Sequence, residues 1–379
     1  MQFILQILST ALNFCTVTSA YVGSQKTTSN SHKSLGSPFG VGFDLTASYG
    51  SAAVSFSNGT IVTVAQIPGD QDYNDMLRRL SLAASRHLSP PYNNVGEAWE
   101  DMPRQYLRKA RKAVGLPASQ DVGHLAKMLS GLRTVVEERV GPIITAGVTT
   151  MHLAALYDED LHDAFEYVGL KYITFPIGAV GHNILYETSA AYAGYGYGLC
   201  SDYKGDPEVC KNEQWNMTDQ VVMAVVYTDT ALSVSLSNLA SAYALWEPPY
   251  RYLVDFDLGY QASSLSTAEY WATVELKLGE ILVEYPNYER PSMVMLMGDR
   301  TEESKFRATL KKVLSDQMQE SPEVLSECGR GIAAKGAAEM AKREIFLAKQ
   351  NPSSCFKATK KEKELPMRKW TISASRSRC

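Results

Sequence analysis

After its first twenty residues the chain has no run approaching the roughly 20 uninterrupted apolar residues that span a bilayer, so no transmembrane segment is expected in the processed protein. It lacks a Gly-x-Ser-x-Gly elbow, a Walker lysine loop and a His-Glu-x-x-His pair, which removes the familiar signatures of α/β-hydrolases, P-loop enzymes and zinc proteases. None of the 6 cysteines forms a Cys-x-x-Cys pair, so a zinc knuckle is not expected. No short tandem repeat is present. Positive charge is scarce in the body of the protein. Residues 341–379 hold 11 Lys and Arg against 3 Asp and Glu, while the whole chain carries −4, and so acidic a body gives no reason to expect nucleic acid.

What is present suits a large core, since 379 residues at 45% hydrophobic content predict two compact units. The first twenty residues, MQFILQILSTALNFCTVTSA, are uncharged and end on Thr18, Ser19 and Ala20. They read as a signal peptide cut after Ala20, with a buried helix or an organelle transit sequence as alternatives. Residues 21–38 are polar and read as a flexible leader. Cys200 and Cys210 bracket the turn-forming SDYKGDPEV, which a disulfide would close in an oxidising lumen. Asn58-Gly-Thr60 and Asn216-Met-Thr218 are sequons that become glycan acceptors if the chain is secreted. Residues 346–379 read as a basic tail.

Along the chain, FGVGFDL, SAAVSFS and TIVTVAQI predict strands, with Asn58-Gly59 supplying a hairpin turn. Helices are expected over Asp70 to Leu88, Pro103 to Val114 and Gln120 to Val140. The basic residues Arg104, Arg108, Lys109, Arg111 and Lys112 of the second read as a solvated face. GPIITAG predicts a strand, LYDEDLHDAFEYVGL a helix, and His152 and His162 beside Asp158, Glu159 and Asp160 read as part of a solvated surface. Two more strands, Val221 to Tyr227 and Ala231 to Leu239, flank the turn Thr228-Asp229-Thr230. A helix over Ser266 to Tyr285, the strand SMVMLMG, a helix over Glu302 to Leu314 and one in GRGIAAKGAAEMAKREIFLAKQ complete the reading. Mixed strands and helices in two similar halves predict an α/β architecture with two related lobes.

Five segments in this order resemble the actin-like ATPase superfamily, above all the nucleotide-binding domain of the DnaK-type seventy-kilodalton heat-shock chaperones. They are Asp44-Leu45-Thr46-Ala47-Ser48-Tyr49 with its Asn-Gly hairpin, PIITAGVTTMHLAALYDEDLHDAFEYVGL, YETSAAYAGYG, VVYTDTALSVSL, and VMLMGDRTEESKFRATLKKVL followed by GRGIAAKGAAEMA. The resemblance implies a two-lobed, ribonuclease H-like fold, with residues 39–185 as the first lobe and 186–345 as a shortened second lobe. It implies ATP or ADP with Mg²⁺ between them. Asp44, Thr46, Ser48, Thr228, Thr230 and Gly298 would face the nucleotide, and Glu187 and Asp229 would be the catalytic acids. Asp44 and Glu187 would hold Mg²⁺ through water. No stretch resembling a peptide-binding domain follows, so a complete chaperone is not expected.

Hydrolysis in such a cleft relies on glycine-rich loops whose backbone N–H groups approach phosphate closely. Here Thr46 stands where the first loop has glycine. The family's Asp-Leu-Gly-Gly-Gly-Thr run aligns with Val226-Tyr227-Thr228-Asp229-Thr230-Ala231, and Asp299 replaces the second glycine of the adenosine motif. No lysine matches the family's catalytic one, Lys109 and Lys112 being the nearest candidates. The first expectation is therefore weak ATP or ADP binding with slow or absent hydrolysis. The alternative is a secreted or lumenal interaction protein that uses the fold without nucleotide and binds an unknown protein partner. A small-molecule kinase of the same superfamily comes last.

Overall fold

A computed structural model describes residues 39–175, 184–243, 245–246, 251–264, 267–283, 290–318, 321–326 and 329–350. The signal segment, the leader, the basic tail beyond 350 and Cys15, Cys328, Cys355 and Cys379 lie outside the described residues. The chain runs through β1 (Gly40–Leu45), β2 (Tyr49–Ser55), β3 (Ile61–Pro68), α1 (Gln71–Ser81), α2 (Val95–Ala113), α3 (Gln120–Val140), β4 (Thr145–Thr150), α4 (Asp158–Tyr167), β5 (Lys171–Tyr172), β6 (Leu185–Tyr186) and α5 (Glu187–Gly194). There follow α6 (Pro207–Trp215), β7 (Gln220–Tyr227), β8 (Leu232–Leu239), β9 (Leu245–Trp246), β10 (Tyr252–Asp255), α7 (Thr267–Leu282), β11 (Met293–Met297), α8 (Ser304–Gln317), β12 (Glu323–Leu325) and α9 (Ile332–Gln350).

The two sheets repeat one topology. In the first, the order is β3-β2-β1-β4-β5, with β1, β2 and β3 antiparallel and β4 and β5 parallel to β1. In the second, β10-β8-β7-β11-β12 follows the same pattern of directions. A meander of three strands followed by two parallel ones, twice over, is a two-lobed, ribonuclease H-like arrangement.

Alternation along each strand sets the layers. Val41, Phe43 and Leu45 pack toward α1, α3 and α4, while Gly40, Gly42 and Asp44 face α9. In the second sheet Met223, Val225 and Tyr227 face α7 and α8, and Val222, Ala224 and Val226 face α5 and α9. The pair α5 and α9 thus lies between the sheets. Their contact depends on glycine, because a Cβ on Gly336 would sit 1.6 Å from the Ala190 carbonyl oxygen and one on Gly194 2.3 Å from that of Ile332. Although last in the chain and counted above with the second lobe, α9 packs along β1, β2 and β4 of the first sheet.

Three expectations need correction. Helix α2 begins eight residues before Pro103, because the Asn94 side chain accepts the Glu97 N–H at 3.0 Å and starts it there, and Pro103 is carried inside. Its basic residues are not a solvated face, since Arg108 is only 5% exposed and bonds Asp160 and Asp163 of α4, each at 2.7 Å. His152 is likewise buried, stacked on Tyr186 with centroids 3.8 Å apart. By contrast α3 runs over the expected residues, opened by a Ser119 side-chain cap and closed by Gly141 at φ +85°.

Candidate functional site

The hairpins β1–β2 and β7–β8 bring equivalent turns face to face. In the first, Thr46 Oγ1 donates to the Tyr49 carbonyl at 2.9 Å and accepts the Tyr49 N–H at 3.3 Å. In the second, Thr228 Oγ1 donates to the Ala231 carbonyl at 3.1 Å and accepts the Ala231 N–H at 3.2 Å. Each threonine hydroxyl is folded into its own turn. The third residue of each turn then reaches across the gap, and Ser48 Oγ lies 2.9 Å from Thr230 Oγ1 while also accepting the Thr230 N–H at 3.1 Å. The two tips close on each other through their own hydroxyls.

Beneath them, the register places Asp44 of β1 between Ser51 of β2 and Thr149 of β4, all buried on the face that meets α9. Glu187, the first residue of α5, follows directly from β6, which pairs with β4 at Thr149 and Thr150. The carboxyls of Asp44 and Glu187 meet here. Burial pushes Asp44 up to about 7, and burial with the neighbouring Asp44 charge pushes Glu187 well above the usual carboxylate range. Burial and mutual proximity thus push both acids toward their protonated forms. Asp44 Oδ1, Glu187 Oε1 and the hydroxyls of Ser51, Thr149, Thr150 and Ser189 are buried without good hydrogen-bond geometry to a neighbour. Two carboxyls amid unengaged hydroxyls are an oxygen donor set that fits a hydrated divalent cation, with Asp44 and Glu187 as the residues that would hold it.

The third wall comes from the end of β11. Gly298, at φ +104°, lies so close to the second turn that a Cβ there would stand 2.2 Å from the Tyr227 carbonyl oxygen. Asp299 follows, its Oδ1 buried and unpartnered and its carboxyl pushed up by burial and by Asp229. Asp229 is held by Arg300 at 2.6 Å, and Arg300 in turn lies 4.6 Å from the Tyr260 ring centroid. Tyr49 is buried under the influence of Asp44, Asp299 and Glu187.

All the residues predicted to line the cleft are thus gathered in one region, but Thr46, Ser48, Thr228 and Thr230 turn their hydroxyls onto protein. Of the two lysine candidates, Lys112 is paired with Asp163 and Glu166, and Lys109 is exposed beside Tyr106. Sequence reasoning missed Ser51, Thr149, Arg300 and Tyr49. Ser51 was within reach, since counting back across the turn from Asp44 gives its strand partner. The rest depend on contacts between distant segments. Cys200 and Cys210 are disulfide-bonded with Cα atoms 5.3 Å apart, and Asn58 and Asn216 are both exposed. A cavity of about 550 Å³ lies elsewhere, around Tyr203, Lys204, Glu339, Lys342 and Arg343.

No family model matches the chain, and no curated protein does. Among solved structures 387 chains match. One is the ethanolamine utilization protein EutJ from Carboxydothermus hydrogenoformans, 10% identical, covering 81% of this chain and 91% of its own at a TM-score of 0.43.

Proposed function

We propose that this protein is a divergent actin-like ATPase-fold protein whose nucleotide cleft is latched, and that it works as an interaction scaffold without turning over ATP. The observation that carries the reading is the Ser48–Thr230 bridge, which engages the tips of both hairpins where the fold otherwise offers them to phosphate. Asp299 adds a half-buried carboxyl beside that space, and a phosphate arriving there meets like charge in a partly desolvated setting. The phosphates of a nucleotide do not fit this arrangement. The reading includes a lumenal or extracellular setting. Its support is the disulfide, the two exposed sequons and the uncharged N-terminal stretch.

Calorimetry and thermal melting with Mg·ATP and Mg·ADP test this. The expected outcome is neither heat nor thermal protection at millimolar nucleotide. Replacing Ser48, Thr230 and Asp299 together by glycine is expected to open the space and restore protection.

A second reading rests on the Asp44–Glu187 pair, whose donor set suits hydrated Mg²⁺ and is consistent with weak ATP or ADP binding. Saturable micromolar binding by the unaltered protein, weakened by Asp44→Asn, would establish that reading and end the first.

A further inference from the structure

Helix α2 is amphipathic in the reverse sense. Asp101, Arg104, Arg108 and Lys112 recur at spacings of three and four and so share one face. That face is turned inward, where Arg104, Arg108 and Lys112 bond Glu159, Asp160, Asp163 and Glu166 of α4. The apolar residues face water instead. Val95 is 72% exposed, Trp99 66%, Tyr106 63%, Leu107 62% and Val114, just past the helix, 72%. Val95, Trp99, Pro103 and Tyr106 follow one another on a single stripe, with Leu107 and Val114 at its edge.

From this face we infer that the protein forms a homodimer through an antiparallel pairing of α2 with α2 of a second copy. Three observations select that occupant. The exposed apolar side chains amount to roughly 700 Å² per chain, close to the ~800 Å² per partner of a standard stable interface. The stripe is centred near Tyr106, which lets a two-fold axis crossing there lay Trp99 of each copy toward the far end of the other. Its flank is charged with opposite signs at equal distances from that centre. Glu100 is exposed on the N-terminal side, and Arg111, whose Nε donates to the Pro117 carbonyl at 2.8 Å, lies on the same flank toward the C-terminus. An antiparallel pair sets Glu100 against Arg111 of the second copy twice over, whereas a parallel pair sets like beside like.

A membrane surface is the poorer match. Interfacial helices present strongly basic polar flanks to anionic headgroups, and here Arg104, Arg108 and Lys112 are bound to α4, which leaves the rim mixed in sign, with Glu100 beside Lys109 and Arg111. The dimer stands apart from the nucleotide question and survives either answer to it.

The test is sedimentation equilibrium of the full chain across the micromolar range. A reversible dimer is expected, weakened at least about 30-fold by Trp99→Ala, the size of a tryptophan hot-spot loss. Glu100→Lys alone weakens it about 5-fold, and the double variant Glu100→Lys with Arg111→Glu restores it, as opposite-charge exchange requires. Melting curves confirm that these surface variants remain folded. A monomer at all concentrations, a dimer indifferent to Trp99→Ala, or a double variant no better than its parents would overturn the assignment. So would a monomer that cosediments with phosphatidylcholine and phosphatidylserine vesicles through Trp99, which would give the face to a lipid surface.

Discussion

Asp44→Asn is expected to make the protein more stable at alkaline pH, and the reason lies in the buried acid pair. An exposed aspartate titrates near 3.8, but in the folded protein Asp44 titrates at about 7, chiefly because it is desolvated. Below the unfolded value both states hold the proton and no penalty exists. As pH rises from about 4 to about 7, the unfolded chain releases its proton while the folded one retains it. Unfolding is then favoured, and the stability of the native state falls with increasing pH until the folded group also ionises. The full displacement corresponds to about 4 kcal/mol, of which about 3 kcal/mol develops between about pH 5 and about pH 8.

Urea unfolding of the unaltered protein and of Asp44→Asn at about pH 5, 6, 7 and 8 measures this directly. The two stabilities are expected to approach each other at the acid end and to separate at the alkaline end with the variant ahead. Glu187 contributes a slope of the same sign to both proteins. Because the Asp44 charge is one cause of its displacement, that slope shrinks in the variant and widens the gap. Parallel curves, or a variant less stable throughout, would refute the account of a desolvated acid pair. Added Mg²⁺ supplies a control, since a cation held by the two carboxylates removes the penalty from the unaltered protein alone.

Two further outcomes concern the scaffold. Arg108→Met, which removes a 5% exposed guanidinium and leaves the buried Asp160 without its cation while Asp163 keeps Lys112, is expected to cost about 3 to 5 kcal/mol in urea unfolding, and a loss below about 1 kcal/mol would show the α2–α4 network to be dispensable. Gly336→Ala forces a Cβ to within 1.6 Å of the Ala190 carbonyl, so it is expected to abolish soluble expression, and normal yield with an unchanged melting temperature would contradict the close crossing of α5 and α9.

Much of the fold could be read from local chemistry. The Asn58-Gly59 turn, with Gly59 at φ +88°, discloses the β2–β3 hairpin, and Ser119 and Gly141 delimit α3 to the residue. The second helix was expected only over Pro103 to Val114, and its buried charged face escaped because its pattern is inverted. A basic stripe predicts a wet face only when no acidic helix lies opposite, and α4 lies 50 residues on in the chain. The site was half legible. Asp44 and Glu187 could be singled out through the motif resemblance, but nothing local to either announces that they meet. Nor does sequence spacing show that Ser48 and Thr230, 182 residues apart, satisfy each other.

That bridge explains why losing glycine from such loops matters beyond shape. A glycine turn leaves its backbone N–H groups to be satisfied by water or by a bound anion. Threonine brings an acceptor of its own. Here the N–H of Tyr49 goes to Thr46 Oγ1, that of Ala231 to Thr228 Oγ1 and that of Thr230 to Ser48 Oγ. A phosphate must displace all three before it gains any of these donors, at about 1 kcal/mol of net stabilisation each. Roughly 3 kcal/mol is more than a hundredfold in affinity for any phosphate-bearing ligand that needs these donors. The Ser48–Thr230 contacts join the two hairpin tips through the protein's own donors and acceptors, so their closure needs no ligand.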